Sequence, residues 1–115
     1  MRLLGCMIVR DEADIVELTM RHNLALLDGI AVVDHGSTDG TSEILAALAA
    51  ERLPIFVTPD ANPRFRQKAM INPLVRHAVM TTDVDWIFVI DADEFIVARS
   101  RAGLEATLRE LPSDR

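Results

Sequence analysis

Four short apolar runs alternate along the chain with segments whose apolar residues recur at helical spacing. The runs lie at 3–9, 30–33, 55–57 and 86–90, and polar or charged residues follow each of them. Strands that alternate with amphipathic helices are typical of a parallel sheet with right-handed crossovers. The pattern therefore predicts an α/β fold, in the order β-α-β-α-β-α-β-α, as a single domain over residues 1–115.

The helices are predicted at 12–23, after the polar loop 35–40, within 66–80 and towards the end of the chain. Their apolar faces are built from Ile15, Leu18, Ile44, Leu45, Leu48, Leu104, Leu108 and Leu111. His22 lies on the apolar face of the first helix, so we expect it in the core or at its boundary. We also expect Met20, Met70, Met80 and Trp86 to pack in the core.

The run 86–90 and the acidic residues after it are the most informative part of the sequence. A continuous apolar run fits a strand buried on both faces, as in the centre of a parallel sheet. It ends in Asp91, Ala92, Asp93 and Glu94. Ligands of open α/β sheets bind beyond the carboxyl ends of the strands, and Mg²⁺ and Mn²⁺ prefer oxygen ligands. The pattern predicts a metal and phosphate site at the end of a central strand.

The other strands also end in polar residues. Arg10, Asp34 and Thr58 follow the first three runs as Asp91 follows the fourth. Because parallel strands all end at one edge of their sheet, these residues are expected to line one shared cleft.

Charge and cysteine content exclude several classes of protein. Eighteen acidic and twelve basic side chains give a net charge of −6, which argues against nucleic-acid binding. Cys6, as a lone cysteine, excludes an internal disulfide and a cysteine zinc cluster, and we expect it to be buried. No run approaches the roughly 18 apolar residues of a membrane span. We expect a cytoplasmic protein, with a peripheral position at the inner membrane as the alternative.

Three segments resemble family 2 glycosyltransferases. Residues 33–41, Val-Asp-His-Gly-Ser-Thr-Asp-Gly-Thr, resemble that family's Asp-x-Gly-Ser-Thr-Asp-Gly-Thr loop. Residues 91–95, Asp-Ala-Asp-Glu-Phe, resemble its DXD element in the form of one bacterial subgroup. Residues 10–13 resemble the Asn-Glu-Ala segment after the first strand, with Asp11 in place of the usual Asn. The three segments occur in the order that the family shows.

The resemblance implies an A-type glycosyltransferase fold that binds a nucleotide sugar, with UDP as the expected nucleotide. Asp34 matches the position that contacts the base, and Glu12 matches a second base-contacting position. Asp91 matches the residue that faces the ribose and the metal shell, and Asp93 matches the metal ligand. The implied cofactor is a divalent cation, Mn²⁺ or Mg²⁺.

The implied activity is inverting transfer of a sugar to a glycan or another cell-surface acceptor. In the family a carboxylate beyond the DXD element deprotonates the acceptor, so the catalytic base here is unknown. The chain corresponds to the nucleotide-binding half, without the acceptor-binding half, and uncovered surfaces would favour self-association. Arg64, Arg66 or Lys68 could complete the donor site with a positive charge.

Other interpretations stay open. Asp91 and Asp93 could simply end a strand in solvent, and Ser37 and Asp39 could serve only as a loop and helix cap. A non-catalytic module that binds a nucleotide sugar or a partner is the main functional alternative. A haloacid-dehalogenase-like phosphatase would use Asp91 as nucleophile and Asp93 as acid-base residue, but Phe95 replaces its usual Thr or Val.

Overall fold

Strands and helices alternate through the whole chain in the computed structural model, which describes residues 1–60, 67–81 and 83–111, the side chains of 67–70 and 81 excepted. The elements are β1 (Leu3–Val9), α1 (Val16–Leu24), β2 (Gly29–Asp34), α2 (Thr41–Ala50), β3 (Ile55–Pro59), α3 (Gln67–Thr81), β4 (Trp86–Val89) and α4 (Arg101–Arg109). The predicted α/β fold and element order are therefore confirmed.

The four strands form one parallel sheet in the order β3-β2-β1-β4. In its register Val9 lies opposite Asp34, and Asp34 lies opposite Pro59. On the other side of β1, Cys6 pairs with Val89. All four carboxyl ends consequently face one edge, which we call the carboxyl edge, and the strand starts form the amino edge.

The core is built from apolar residues of β1, β2 and three of the helices. It contains the predicted positions Met20, Leu45, Leu48, Leu104 and Leu108, with Ile44 and Trp86 packed against it. Cys6 is fully buried in β1, as expected, and burial raises the pKa of its thiol to about 11. Burying a leucine side chain contributes roughly 1.5–3 kcal/mol, so these side chains stabilise the fold strongly.

The prediction that the fourth strand is central and buried on both faces is wrong. Within the described residues β4 pairs with β1 alone and forms one edge of the sheet. Its residues Trp86, Ile87 and Phe88 are partly buried, and Val89 is 55% exposed. A short apolar run does not reveal how many neighbours its strand has.

Four further expectations need correction. Leu18, expected on the apolar face of the first helix, is 63% exposed. His22 is exposed, and its ring contacts residues beyond β4 instead of the core. Met80 is 78% exposed on α3, and Leu111 is 48% exposed beyond the end of α4. Met70 belongs to the side chains outside the described set. Helical spacing correctly places Leu18, His22 and Met80 on helices, but the neighbouring elements decide which face is covered.

The first helix begins at Val16 and not at residue 12. Asp11 has a φ of 53°, in the left-handed region, so the chain bends sharply before the helix. The Glu12 carbonyl then accepts hydrogen bonds from the N–H groups of Ile15 (3.1 Å) and Val16 (2.8 Å). None of the described helices combines the length and apolar character that a membrane span requires.

Candidate functional site

The loop after β2 closes over the Asp34 carboxylate. Asp34 is only 7% exposed. One of its oxygens accepts a hydrogen bond from the Ser37 N–H (3.3 Å), and the other accepts one from the Ser42 hydroxyl. Because each carboxylate oxygen carries two lone pairs, both oxygens keep capacity for a further donor. Asp34 thus anchors its own loop at the carboxyl edge.

The same loop holds the segment that follows β1. Three consecutive backbone N–H groups donate to its side chains: Asp11 to Ser37 Oγ (3.1 Å), Glu12 to Thr41 Oγ1 (2.9 Å) and Ala13 to Asp39 Oδ2 (3.1 Å). In return the Thr38 N–H donates to Asp11 Oδ1 at 2.7 Å. These bonds satisfy backbone groups that would otherwise lack partners beside the bend at Asp11. The ends of β1 and β2 are consequently joined by hydrogen bonds.

Although the N-cap of α2 is Gly40, with no side-chain capping bond, Asp39 shapes the loop just before this helix. Its Oδ1 accepts hydrogen bonds from the Thr41 N–H (3.0 Å) and hydroxyl (2.5 Å). These bonds, the hydroxyl bond foremost, and the bond from Ala13 lower the pKa of Asp39. Thr41 is fully buried, and its hydroxyl links Asp39 to the Glu12 N–H.

Glu12 lies in a field of negative charge. Its side chain is partly buried, and its pKa is raised, first by desolvation and then by four carboxylates. Those carboxylates are Asp14, Asp93, Asp39 and Asp11, in decreasing order of effect. The influence of Asp93 shows that the segments after β1 and β4 share one local field. A cation in this region would relieve the repulsion.

The acidic segment after β4 forms a turn. The Glu94 N–H donates to the Asp91 carbonyl (2.9 Å), and Glu94 Oε1 accepts from the Asp91 N–H (2.7 Å). Glu94 is therefore engaged with its own turn. The carboxylates of Asp91 and Asp93 are exposed and, among the described residues, make no hydrogen bond or ion pair.

Polar side chains of α1 bind the backbone of this segment. The hydrogen bonds are Thr19 Oγ1 to the Ala92 carbonyl (2.7 Å), Asn23 Nδ2 to the Glu94 carbonyl (3.0 Å) and the Ile96 N–H to Asn23 Oδ1 (2.9 Å). His22 Nε2 lies 2.7 Å from the Ile96 carbonyl, and its ring meets Phe95 edge to face with centroids 5.1 Å apart. The segment after β4 is thereby tied to α1, the helix that follows β1.

Sequence reasoning missed the role of Thr19 and Asn23. Both residues are fully buried, although both are polar. The sequence pattern places Asn23 at the end of the predicted first helix and Thr19 within it, and it assigns neither residue a contact. A polar residue at a helix position that faces inward is the available signal, because such a group needs a partner when buried.

Asp91 and Asp93 fit a divalent cation that takes only some of its ligands from the protein. The described part of the chain contains no group of three or more His, Cys, Asp or Glu side chains arranged around one metal position. Magnesium-type sites commonly use one or two carboxylates and take their remaining oxygens from phosphates and water. The exposed carboxylates of Asp91 and Asp93 have that character. Arg64 and Arg66 lie outside the described residues, and so does the side chain of Lys68.

Asp34 stands apart from the acidic segment. β1 lies between β2 and β4, and the described residues show no contact between Asp34 and either Asp91 or Asp93. Glu12, at the end of β1, lies between them in strand order. The four predicted site residues thus share the carboxyl edge, with Glu12 and Asp93 coupled by charge and Asp34 at the far side.

Comparison with known proteins gives agreement in both sequence and fold. The model of the family described as glycosyl transferase family 2 matches residues 6–99. A TPR repeat-containing protein of Synechococcus elongatus is 30% identical over 103 residues, which are 90% of this chain and 23% of that protein.

Two solved structures resemble the chain. One is the mannosyltransferase PcManGT from Pyrobaculum calidifontis in complex with GDP-Man and Mn²⁺, with a TM-score of 0.67 and 24% identity over 85% of this chain and 29% of that one. The other is S. aureus TarS, with a TM-score of 0.66 and 16% identity over 95% of this chain and 32% of that one. At these identities the likeness shows a shared fold.

The chain spans between a quarter and a third of these solved structures, and 23% of the curated relative. Within that span the matched residues run from the middle of β1 to just before α4. They include the loop that holds Asp34 and the acidic segment after β4. On the extent of this match, the chain belongs to glycosyl transferase family 2.

Proposed function

We propose that this chain binds the nucleoside diphosphate of a sugar donor together with a divalent cation, for inverting transfer to a glycan or other cell-surface acceptor. Asp93 would ligate the cation, and Asp91 would face the ribose and the metal shell. Asp34 and Glu12 would contact the base. The proposal combines the family membership with the placement of these four residues at the carboxyl edge.

One observation carries the proposal. Asp91 and Asp93 are exposed at the carboxyl edge and find no positive partner among the described residues. Nearby, desolvation first and then carboxylates that include Asp93 raise the pKa of Glu12. Carboxylates that repel one another, and that the fold nevertheless holds together, form a site to which a cation binds favourably. A bound divalent cation supplies Lewis-acid stabilisation of the diphosphate as it leaves the sugar.

The identity of the donor is part of the proposal. UDP is the nucleotide that the family resemblance implies, whereas the Pyrobaculum mannosyltransferase was solved with GDP-Man and Mn²⁺. The base is expected beside β2, where the Asp34 oxygens retain lone pairs for an N–H donor. Parallel titrations with UDP and GDP separate the two donors.

Calorimetric titration of UDP and GDP, each with Mn²⁺ and with EDTA, tests the site. We expect binding that requires Mn²⁺ and that Asp93→Asn reduces at least tenfold, because the substitution removes a charged ligand. Asp83→Asn is the matched control, since Asp83 is also exposed but precedes β4 at the amino edge. Equal affinity of the wild type and Asp93→Asn would refute the proposed metal site.

A non-catalytic binding module remains the second candidate, because the carboxyl-edge residues would bind a nucleotide and a cation without supplying a catalytic base. The chain covers 29% of the Pyrobaculum mannosyltransferase and 32% of TarS. A module would bind a nucleotide with Mn²⁺ but would release no nucleoside diphosphate from the corresponding nucleotide sugar. A coupled assay for that release, run on this chain and on a longer one carrying the same segment, separates the module from the enzyme. The family match argues against the phosphatase alternative.

Self-association is also proposed, through the exposed edge of β4. Val89 is 55% exposed there, and Val97 beyond it is 94% exposed. Strand edges with unpaired backbone groups and nearby apolar side chains favour pairing with another strand. Sedimentation of the wild type and of Val89→Lys over a concentration series tests this, because a lysine on the edge should reduce any association.

A further inference from the structure

We propose that Asn23 and Thr19 of α1 are positioning residues that set the geometry of the metal-binding carboxylates through the backbone of residues 92–96. The inference rests on the proposed function, since it concerns the same cation site. It assigns a role in that site to residues of a helix that itself presents no ligand.

Asn23 binds the acidic segment as a neighbouring strand would. Its side-chain amide donates to the Glu94 carbonyl and accepts from the Ile96 N–H, so it spans Phe95 with one donor and one acceptor. A residue of a parallel strand pairs with its neighbour in the same pattern. Because Asn23 is fully buried, both bonds are shielded from competition with water.

The backbone on both sides of Asp93 is held by α1. Thr19 binds the Ala92 carbonyl, and Asn23 binds the Glu94 carbonyl, so the residues before and after Asp93 are both fixed. Few backbone torsions then remain free to move the Asp93 carboxylate. Asp91 is limited in turn by its hydrogen bonds with Glu94.

The hydrogen bonds from α1 are needed because the neighbouring carboxylates repel one another. Glu12 has a raised pKa, first through desolvation and then through repulsion by carboxylates that include Asp93. Without a cation, a loosely held segment would relieve this repulsion by moving away, and ordering it again would weaken metal binding. Partners that orient metal ligands from outside the coordination shell commonly change metal affinity by 10–100-fold.

Two contrasting substitutions at Thr19 test the proposal with little risk to the fold. Thr19→Val keeps the shape of the side chain but removes the hydroxyl that binds the Ala92 carbonyl, whereas Thr19→Ser keeps the hydroxyl. Mn²⁺ alone is titrated and followed by electron paramagnetic resonance. We expect Thr19→Val to weaken Mn²⁺ binding about tenfold and Thr19→Ser to restore most of the affinity.

Asn23→Ala is the stronger variant, with an expected loss of about 10–100-fold in Mn²⁺ affinity. Leu48→Val serves as its control, because Leu48 is a buried core residue of α2, and among the described residues the side chains that hydrogen-bond to residues 92–96 belong to α1. Loss of stability alone would lower the thermal midpoint in both variants and leave the Mn²⁺ affinity of the folded protein unchanged. Amide exchange at Ile96 should accelerate in Asn23→Ala and not in Leu48→Val.

The outcomes separate this inference from the function on which it rests. If Asp93→Asn binds Mn²⁺ as tightly as the wild type, the proposed metal site fails. If Asp93→Asn loses binding while Thr19→Val and Asn23→Ala retain wild-type affinity, only the positioning role is overturned. Loss in all three variants, with rescue by Thr19→Ser and no effect of Leu48→Val, supports both.

Discussion

The two edges of the sheet use carboxylate side chains in opposite ways. At the amino edge, Asp28 accepts hydrogen bonds from the Arg101 guanidinium (2.9 and 3.1 Å) and from the Leu3 N–H (2.7 Å). At the carboxyl edge, Glu12 is surrounded by carboxylates. The pKa of Asp28 is accordingly lowered, chiefly by the bond from Arg101, whereas that of Glu12 is raised.

The contrast separates carboxylates that stabilise the fold from carboxylates left for a ligand. Arg101 reaches from α4 to Asp28 and also to the carbonyls of Met1 and Leu26, so it ties the last helix to the amino edge. No described basic side chain forms an ion pair with Asp91 or Asp93. At the carboxyl edge, N–H and O–H groups satisfy the acids that shape the loops, as they do for Asp39.

The largest loss of stability is expected from removing a hydrogen bond that holds the loops of the carboxyl edge together. Thr41→Val removes the hydroxyl of a fully buried residue, so the Glu12 N–H and the Asp39 carboxylate each lose a hydrogen-bond partner. We expect a loss of about 2 kcal/mol in the free energy of unfolding. Thr107→Val is the control, since Thr107 is exposed on α4 and its hydroxyl binds only the Gly103 carbonyl.

Urea denaturation of both variants measures this difference. A loss below about 0.5 kcal/mol for Thr41→Val, or an equal loss for Thr107→Val, would contradict the central place of Thr41 in the site.

A smaller loss of stability is expected from removing the Asp28–Arg101 ion pair at the amino edge. Arg101→Met removes the charge partner of Asp28, and because both side chains are partly exposed we expect a loss of about 1 kcal/mol at neutral pH. Asp28 has a lowered pKa in the folded state, so its contribution is present above its ordinary pKa and disappears as the pH falls through the lowered value. The difference between wild type and Arg101→Met should therefore shrink in acid.

Unfolding measured at pH 7 and at successively lower pH tests this prediction, with Arg109→Met as control. Arg109 is more exposed than Arg101 and pairs only with Glu105. A loss for Arg101→Met that is the same at every pH would mean that Asp28 is not the charge involved.

The smallest change in stability is expected from neutralising Glu12 at the carboxyl edge. Glu12 has a raised pKa, so its ionisation disfavours the folded state as the pH rises through that value. We expect Glu12→Gln to increase the thermal midpoint slightly at pH 7 and to leave it unchanged below the ordinary pKa of Glu. Mn²⁺ should stabilise the wild type more at pH 7 than at pH 5, because a cation favours ionised carboxylates. Asp83→Asn is the control in thermal scans, and a lower midpoint for Glu12→Gln at pH 7 would contradict the repulsion.

Much of the fold could be predicted from the pattern of apolar residues. The bounds of β1 agree with the first apolar run, and α2 buries Leu45 and Leu48 as its spacing requires. The position of β4 could not be predicted, because Trp86–Val89 would have the same apolar character beside one strand or two. The start of α1 could not be predicted either. Side chains some thirty residues further along the chain bind the N–H groups of Asp11 and Glu12 and hold this segment outside the helix.

The sequence by itself determined the order of the elements and the acidic residues at the strand ends. That follows from local periodicity, and from the rule that parallel strands finish at one edge. Only the tertiary structure decided which acids share a field and what holds them in place. Asn23 meets Glu94 and Ile96 across more than seventy positions of sequence. Hydrogen bonds over such a separation arise because α1 lies against the segment that follows β4, which no local pattern in the chain records.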